Sequence, residues 1–198
     1  MAKGDKYVLT GTVADGAYLT LTPTSGQNLK VTGIASDGVV NGFNIYTSST
    51  QQFGYFYFPL NMNNLNVPII YGHDLKLSND QGSDCKMAIS YEEVPGSLFY
   101  AYKSISGGST DTVYADTNDE VRVVYIGMSG FPSTTEYIDG STTVSMPKIS
   151  NGDIYNTYCS FFNLNILITD DLGLKFTNAH ASSSAGVLVL GYKTKDGA

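Results

Sequence analysis

The side chains that could do chemistry in this chain are few and scattered. There are two histidines, His73 and His180, and two cysteines, Cys85 and Cys159. A zinc site needs three or four converging His, Cys or carboxylate ligands. These four residues fall in unrelated contexts and at no ligand spacing. Nucleophilic catalysis by Ser or Cys needs a histidine base and an orienting acid, and no G-x-S-x-G run is present. Asn79-Asp80-Gln81-Gly82-Ser83-Asp84 carries oxygen ligands and a glycine. It lacks the spacing and the bidentate Glu of an EF-hand loop and reads as a turn. Asp170-Asp171 and Asp116 to Glu120 read as strand-end turns as well. We therefore expect no catalytic residue, no metal site and no cofactor.

What remains is the surface. Tyrosine is abundant, at fifteen, and tryptophan is absent. In Phe53-Gly-Tyr-Phe-Tyr-Phe58, strand alternation places Tyr55 and Tyr57 on one face and Phe56 and Phe58 on the other. Tyr100 and Tyr102 repeat the pattern near the chain's middle. Tyrosine offers contact area at low entropic cost and is favoured in interfaces. Lys3 and Lys6 carry two of the eleven basic residues in a short leading segment, Ala2 to Lys6, placed before the first strand. Lys3, Lys6, Tyr55, Tyr57, Tyr100 and Tyr102 are thus the expected partner contacts.

The elements that position them follow from a repeat. Asn64–Asn79 reads NLNVPIIYGHDLKLSN and Asn163–Asn178 reads NLNILITDDLGLKFTN. Asn64, Leu65, Asn66, Ile69, Leu75, Lys76 and Asn79 recur as Asn163, Leu164, Asn165, Ile168, Leu174, Lys175 and Asn178. Upstream, Ser25 to Val31 matches Thr117 to Val123 with a different spacing, and the turn Asp15-Gly16 faces Gly107-Gly108. Downstream, Cys85 to Tyr91 matches Gly186 to Tyr192. A repeat this long means two domains rather than a solenoid of short units. The boundary falls at Val94-Pro95-Gly96-Ser97, giving domains 1–95 and 96–198.

Each copy contains about eight short runs with period-two alternation and turn signals between them, and no helical period. Pro68 marks its run as an edge or a bulge, and the Gly/Pro/Ser/Thr stretch Met128 to Thr135 reads as a loop. Asp74 to Ser78 and Cys85 to Tyr91 read as a closing hairpin. The expected fold is all-β: two tandem, internally duplicated antiparallel β-sandwich domains, jelly-roll-like because eight strands suit that fold better than seven-stranded immunoglobulin domains. The cysteines fall on non-equivalent strands of different copies, so neither domain holds a disulfide of its own.

Charge narrows the partners. Eleven basic against eighteen acidic residues give a net charge of −7. Nucleic-acid backbones call for a basic face, so none is expected as a partner. Charged residues make up 15% of the chain, below the roughly 25% of average proteins. Surface polarity must come from Ser, Thr, Asn, Gln and Gly. No apolar run is long enough for a membrane helix, and the start is not a signal peptide. Synthesis in a cytoplasm without export is expected.

Taken together with the run FYFPLNMNNLNVPIIYGHDLKLSND, this acidic tandem resembles accessory virion proteins of tailed bacteriophages, of the capsid decoration (cement) or head-fibre type. The resemblance is one of architecture and texture over the whole chain and transfers no individual residue. It implies a non-enzymatic structural protein on the virion surface, bound to a major capsid protein and to itself, with a homotrimer favoured. There it would stabilise a phage head against packaged DNA. The alternative is a carbohydrate- or receptor-binding module of a tail fibre or baseplate; a bacterial surface protein is a third reading.

Overall fold

Alternation is the rule that builds the molecule. The computed structural model describes residues 5–40, 42–47, 50–52, 58–129, 132–139, 142–145, 159–161 and 163–195. It divides into two units, Met1–Leu98 and Phe99–Ala198. Unit 1 contains β1 (Lys6–Val13), β2 (Tyr18–Leu21), β3 (Asn28–Val40), β4 (Gly42–Thr47), β5 (Thr50–Gln52), β6 (Phe58–Ile70), β7 (His73–Ser78) and β8 (Cys85–Glu93). Unit 2 contains β9 (Leu98–Ile105), β10 (Thr110–Val113), β11 (Glu120–Ser129), β12 (Pro132–Asp139), β13 (Thr142–Ser145), β14 (Cys159–Phe161), β15 (Ile166–Ile168), β16 (Leu172–Asn178) and β17 (Ala185–Lys195). Among the described residues there is no helix long and apolar enough to cross a membrane.

Unit 1 folds as two four-stranded antiparallel sheets, ordered β1-β8-β3-β6 and β2-β7-β4-β5. Unit 2 repeats that order as β9-β17-β11-β14, with β15 also on β11, and β10-β16-β12-β13. The strands β14 and β15 together stand where the single long β6 stands in unit 1. Two sheets in this order, with the chain crossing between them at every step except the β4–β5 and β12–β13 hairpins and the β14–β15 step, define an eight-stranded jelly roll. The chain is two such sandwiches in tandem.

The registers show that the duplication is structural. Tyr18, Leu19, Thr20 and Leu21 oppose Ser78, Leu77, Lys76 and Leu75. Thr110, Asp111, Thr112 and Val113 oppose Thr177, Phe176, Lys175 and Leu174 in the same way. A β-bulge interrupts β3 between Val31 and Gly33, and another interrupts β11 between Val123 and Tyr125. Bulges re-aim a strand and change its twist, so the same bulge in both sheets fixes the same curvature. Asn64 and Asn163 both adopt positive φ, at 60° and 54°. Asparagine tolerates that left-handed region better than most residues.

The block residues form the cores. Leu65, Val67, Ile69, Leu75 and Leu77 are buried in unit 1, and Ile168, Leu174 and Phe176 in unit 2. Leu164 and Ile166 are only partly buried, packed against the unit 2 core. Burying such side chains is worth about 1.5–3 kcal/mol each.

Three expectations change. The strands β7 and β8 do not form a hairpin: β7 pairs with β2 and β4, β8 with β1 and β3. The segment 79–84 therefore carries the chain from one sheet to the other. The match of β8 to β17 also moves by one residue. Val31 and Gly33 oppose Tyr91 and Ser90, while Val123 and Tyr125 oppose Gly191 and Leu190. So Cys85 corresponds to Ala185, not Gly186. A one-residue slip would have turned every side chain to the wrong face; as it stands, Met87 and Ile89 match Val187 and Val189, all buried. Finally, the region expected as a loop from Met128 to Thr135 is largely strand, since β11 runs to Ser129 and β12 begins at Pro132. Pro68 does lie on an edge strand, as β6 ends its sheet among the described residues.

Candidate interaction surface

The expected contact residues are distributed over both units. Lys3, Tyr55 and Tyr57 lie outside the described residues. Lys6 is exposed but is not part of a free leading arm: it opens β1 and stands opposite Glu92. Tyr100 and Tyr102 lie on β9, spaced by two and so on one face, with Tyr102 36% exposed and Tyr100 half-buried. By the register of the duplication, β9 is the counterpart of β1. Both are terminal strands of their sheets among the described residues. Lys6 and the tyrosine pair therefore sit on equivalent edges, one in each unit.

Two residues that the sequence had marked only as identities of the repeat hold the corners. Asn79 is fully buried at the end of β7. Its Nδ2 donates to the carbonyls of Val13 at 2.7 Å and Ser83 at 2.8 Å, and its Oδ1 accepts from the backbone N–H of Gln81 at 3.2 Å. Asn178, also fully buried, does the same to Ile105 at 2.9 Å, Ser183 at 2.8 Å and His180 N–H at 3.0 Å. The backbone follows: Gly16 donates to the Asn79 carbonyl and Gly108 to that of Asn178. Both glycines have φ above +70°, a conformation in which a Cβ would be strained. The signal was present in the two terminal asparagines of the repeated block, but identity alone does not disclose what an amide bonds to.

The titratable groups have structural partners. His180 Nδ1 accepts backbone N–H groups from Ser182 at 3.2 Å and Ser183 at 2.8 Å, which folds the β16–β17 loop over the imidazole. His73 is buried, and that burial pushes its pKa below the usual imidazole value, against smaller opposing effects of the Tyr71 backbone and Asp74. Cys85 is free and buried, with Sγ 2.8 Å from Ser36 Oγ and 3.4 Å from Asp37 Oδ1. Asp37 accepts the Lys86 backbone N–H at 2.7 Å, and that bond holds its carboxyl below the ordinary range. Among the described residues no group of three or more His, Cys, Asp or Glu is placed to hold a metal ion.

On the outward face of the β1-β8-β3-β6 sheet lies an open groove of about 660 Å³. Its walls include Thr10, Thr12, Ala35, Asp37, Lys86 and Ala88. Thr10 opposes Ala88, which opposes Ala35, so three small side chains form one row across three strands. Lys86 and Asp37 stand at its rim.

The class these observations define is the tandem eight-stranded jelly roll. No family model matches the chain, and no curated protein matches it. Among solved structures it is similar to the major capsid protein P2 from Bacteriophage PM2, at 10% identity and TM-score 0.45, covering 96% of this chain and 98% of that one. It is similar also to the MCP of Sulfolobus Turreted Icosahedral Virus (STIV), at 11% identity and TM-score 0.34, covering 96% of each chain. HutD from Pseudomonas fluorescens SBW25 matches at 8% identity and TM-score 0.25, covering 96% of this chain and 80% of that one. Likeness at this level assigns no function, and the strand order described above stands independently of it.

Proposed function

We propose that this protein is a non-enzymatic structural protein of a virion, a building block of the shell. The observation that carries the reading is the identical eight-strand pairing order of the two units. Jelly rolls serve repeatedly as viral shell domains and as lectin domains. A chain that fuses two equivalent sandwiches presents similar surfaces twice per copy, which suits a lattice where each unit must meet like neighbours. A homotrimer would then display six sandwiches, enough to occupy a six-coordinated lattice position. Closed cyclic oligomers of this kind are the common form of homo-oligomers. A surface poor in charge and rich in Ser, Thr, Asn and Tyr suits close packing between copies.

Two placements on a virion follow from this. In the first, the chain itself forms the lattice and is its major protein. In the second, it is a decoration or cement protein seated on the outside of a phage head built by a separate major capsid protein. The tandem of equivalent sandwiches favours the first. Quantitative mass spectrometry and cryo-electron microscopy of purified particles test both. The lattice role requires this chain to be the most abundant shell protein, forming a continuous layer. A more abundant shell protein beneath it would make it a decoration protein, and absence from particles would end the virion reading. The exposed Tyr18, Tyr71 and Tyr114 support a glycan- or receptor-binding module as the second reading, because aromatic rings stack on sugars. A glycan array with the full chain decides that point.

A further inference from the structure

The groove on unit 1 exists because of what the duplication did not repeat. In the outward row of unit 1 stand Thr10, Ala88 and Ala35. The matching positions of unit 2 are Tyr102, Leu188 and Gly127, of which Gly127 opposes Leu188. Leu188 is fully buried, although it points away from the face that carries Val187 and Val189. The space above Gly127 is taken by Tyr125, whose hydroxyl would lie 2.7 Å from a Cβ at position 127. Tyr125 too is fully buried, and its counterpart in unit 1 is Gly33. Unit 2 thus fills this sheet face with a phenol ring and a leucine of its own. Unit 1, with Ala35, Ala88 and Thr10 in place of Gly127, Leu188 and Tyr102, leaves an open groove of about 660 Å³ with room for an aromatic ring from elsewhere.

We propose that this groove receives Tyr71 from a second copy of the chain. Tyr71 is 59% exposed and sits with Gly72 in the two-residue turn between β6 and β7. Gly72 has φ of +88°, so the turn is tight and projects its tyrosine as a rigid knob. Among the described residues, the other exposed tyrosines are engaged locally. Lys76 lies over the Tyr18 ring at 5.7 Å, Tyr114 rests against Gly173, and Tyr102 occupies its own row. Charge would add to shape: Asp74, beside the Tyr71 turn, would be brought to Lys86, which stands at the groove's rim with Asp37. A buried aromatic anchor in a desolvated pocket is the usual energetic centre of an interface. The knob and the groove are different surfaces of one chain, so the contact is head-to-tail. Head-to-tail contacts close into rings when the rotation allows, and three copies would give the trimer proposed above. The inference names how copies join and does not depend on where they act, so its failure leaves the virion reading to the particle measurements.

Sedimentation velocity on the full chain over a concentration series tests it. The wild type is expected to form a closed oligomer. Tyr71→Ala, which lacks the knob, and Ala88→Leu, which fills the groove as unit 2 does, are each expected to sediment as monomers with unchanged circular dichroism. Should Ala88→Leu not fold, Thr10→Tyr blocks the same row from an exposed position and copies Tyr102. The decisive arm is the mixture. Tyr71→Ala retains a groove and the groove-filled variant retains a knob, so equal amounts should yield a 1:1 dimer unable to close. A monomeric wild type, a Tyr71→Ala chain that still assembles, or a mixture that stays monomeric overturns the proposal.

Discussion

Asn79 donates from its buried side-chain amide to the carbonyl of Val13 at 2.7 Å, tying the end of β7 in one sheet to the end of β1 in the other. Asn178 makes the same tie to Ile105 at 2.9 Å in unit 2. The amide is the one side chain of this size that can donate to two carbonyls while accepting a backbone N–H. The two asparagines therefore hold the crossing loops in place.

Replacing either should be costly and local. Asn79→Ala leaves the carbonyls of Val13 and Ser83 and the Gln81 N–H without that partner. An unsatisfied buried polar group costs about 1–3 kcal/mol, and we expect a total near 2–4 kcal/mol because water can enter part of the corner. Native-state hydrogen exchange should show faster opening of β1, β7 and β8 with unit 2 protection retained. Asn178→Ala should do the converse. Equal loss in both units would show that the clasps do not act within their own sandwich.

The core leucines make the second prediction. Leu75 and Leu174 are completely buried at matched positions. Truncation of such a leucine to alanine costs about 2–5 kcal/mol through lost transfer energy and the cavity left behind. Leu75→Ala and Leu174→Ala should lower urea stability by amounts within that range. A change below 1 kcal/mol in either would mean that its sandwich collapses around the gap or is held mainly elsewhere.

Acid should weaken the fold through His73. Burial depresses its pKa, so the folded state prefers the neutral ring, while the unfolded chain takes up a proton near the ordinary imidazole value of about 6.5. Its contribution to stability is therefore complete above that pH and is lost as pH falls from there through the depressed folded value. Urea midpoints measured between pH 7.5 and pH 5 should decline over this window. His73→Leu, which installs the residue found at the matching Leu172, should flatten that part of the curve. An unchanged slope would place the acid sensitivity in another group.

Lys193 supports the fourth prediction. Its ammonium lies 2.5 Å from Asp119, whose side chain is 5% exposed, and 3.6 Å from the exposed Asp116. Removing the cation from a buried carboxylate is more damaging than losing a surface pair. Lys193→Met should destabilise unit 2 by about 2–3 kcal/mol, and Asp119→Asn in the same chain should restore part of that loss. A double-mutant cycle measures the coupling; a coupling near zero would show the pair to be incidental.

Much of the fold is legible in the sequence alone. The duplication could be read because the same buried positions, Leu75 with Leu174 and Ile69 with Ile168, demand the same residue types in both copies. Strand class could be read because alternation is a local property. Which strands become partners is not local. Nothing in the texts of β7 and β8 distinguishes a hairpin from a crossing between sheets, since both leave the same alternation on each strand. The register of β17 was ambiguous for a related reason: Val187-Leu188-Val189-Leu190 is apolar at every position, so alternation could not say which residues face the core, and pairing with the bulged β11 chose.

The candidate surface divides in the same way. The sequence by itself determined what a surface can offer, little charge and much tyrosine, because composition sets it. Only the tertiary structure decided which tyrosines are available and what they could meet. Thr10, Ala35 and Ala88 are far apart in the chain, and each is unremarkable alone; they become the floor of a groove when three strands lie side by side. Asp119 and Lys193 likewise become an ion pair only when β17 returns beside β11. Side-chain type is written residue by residue, whereas a site is a coincidence of distant residues, and the folding of the sheets alone brings it about.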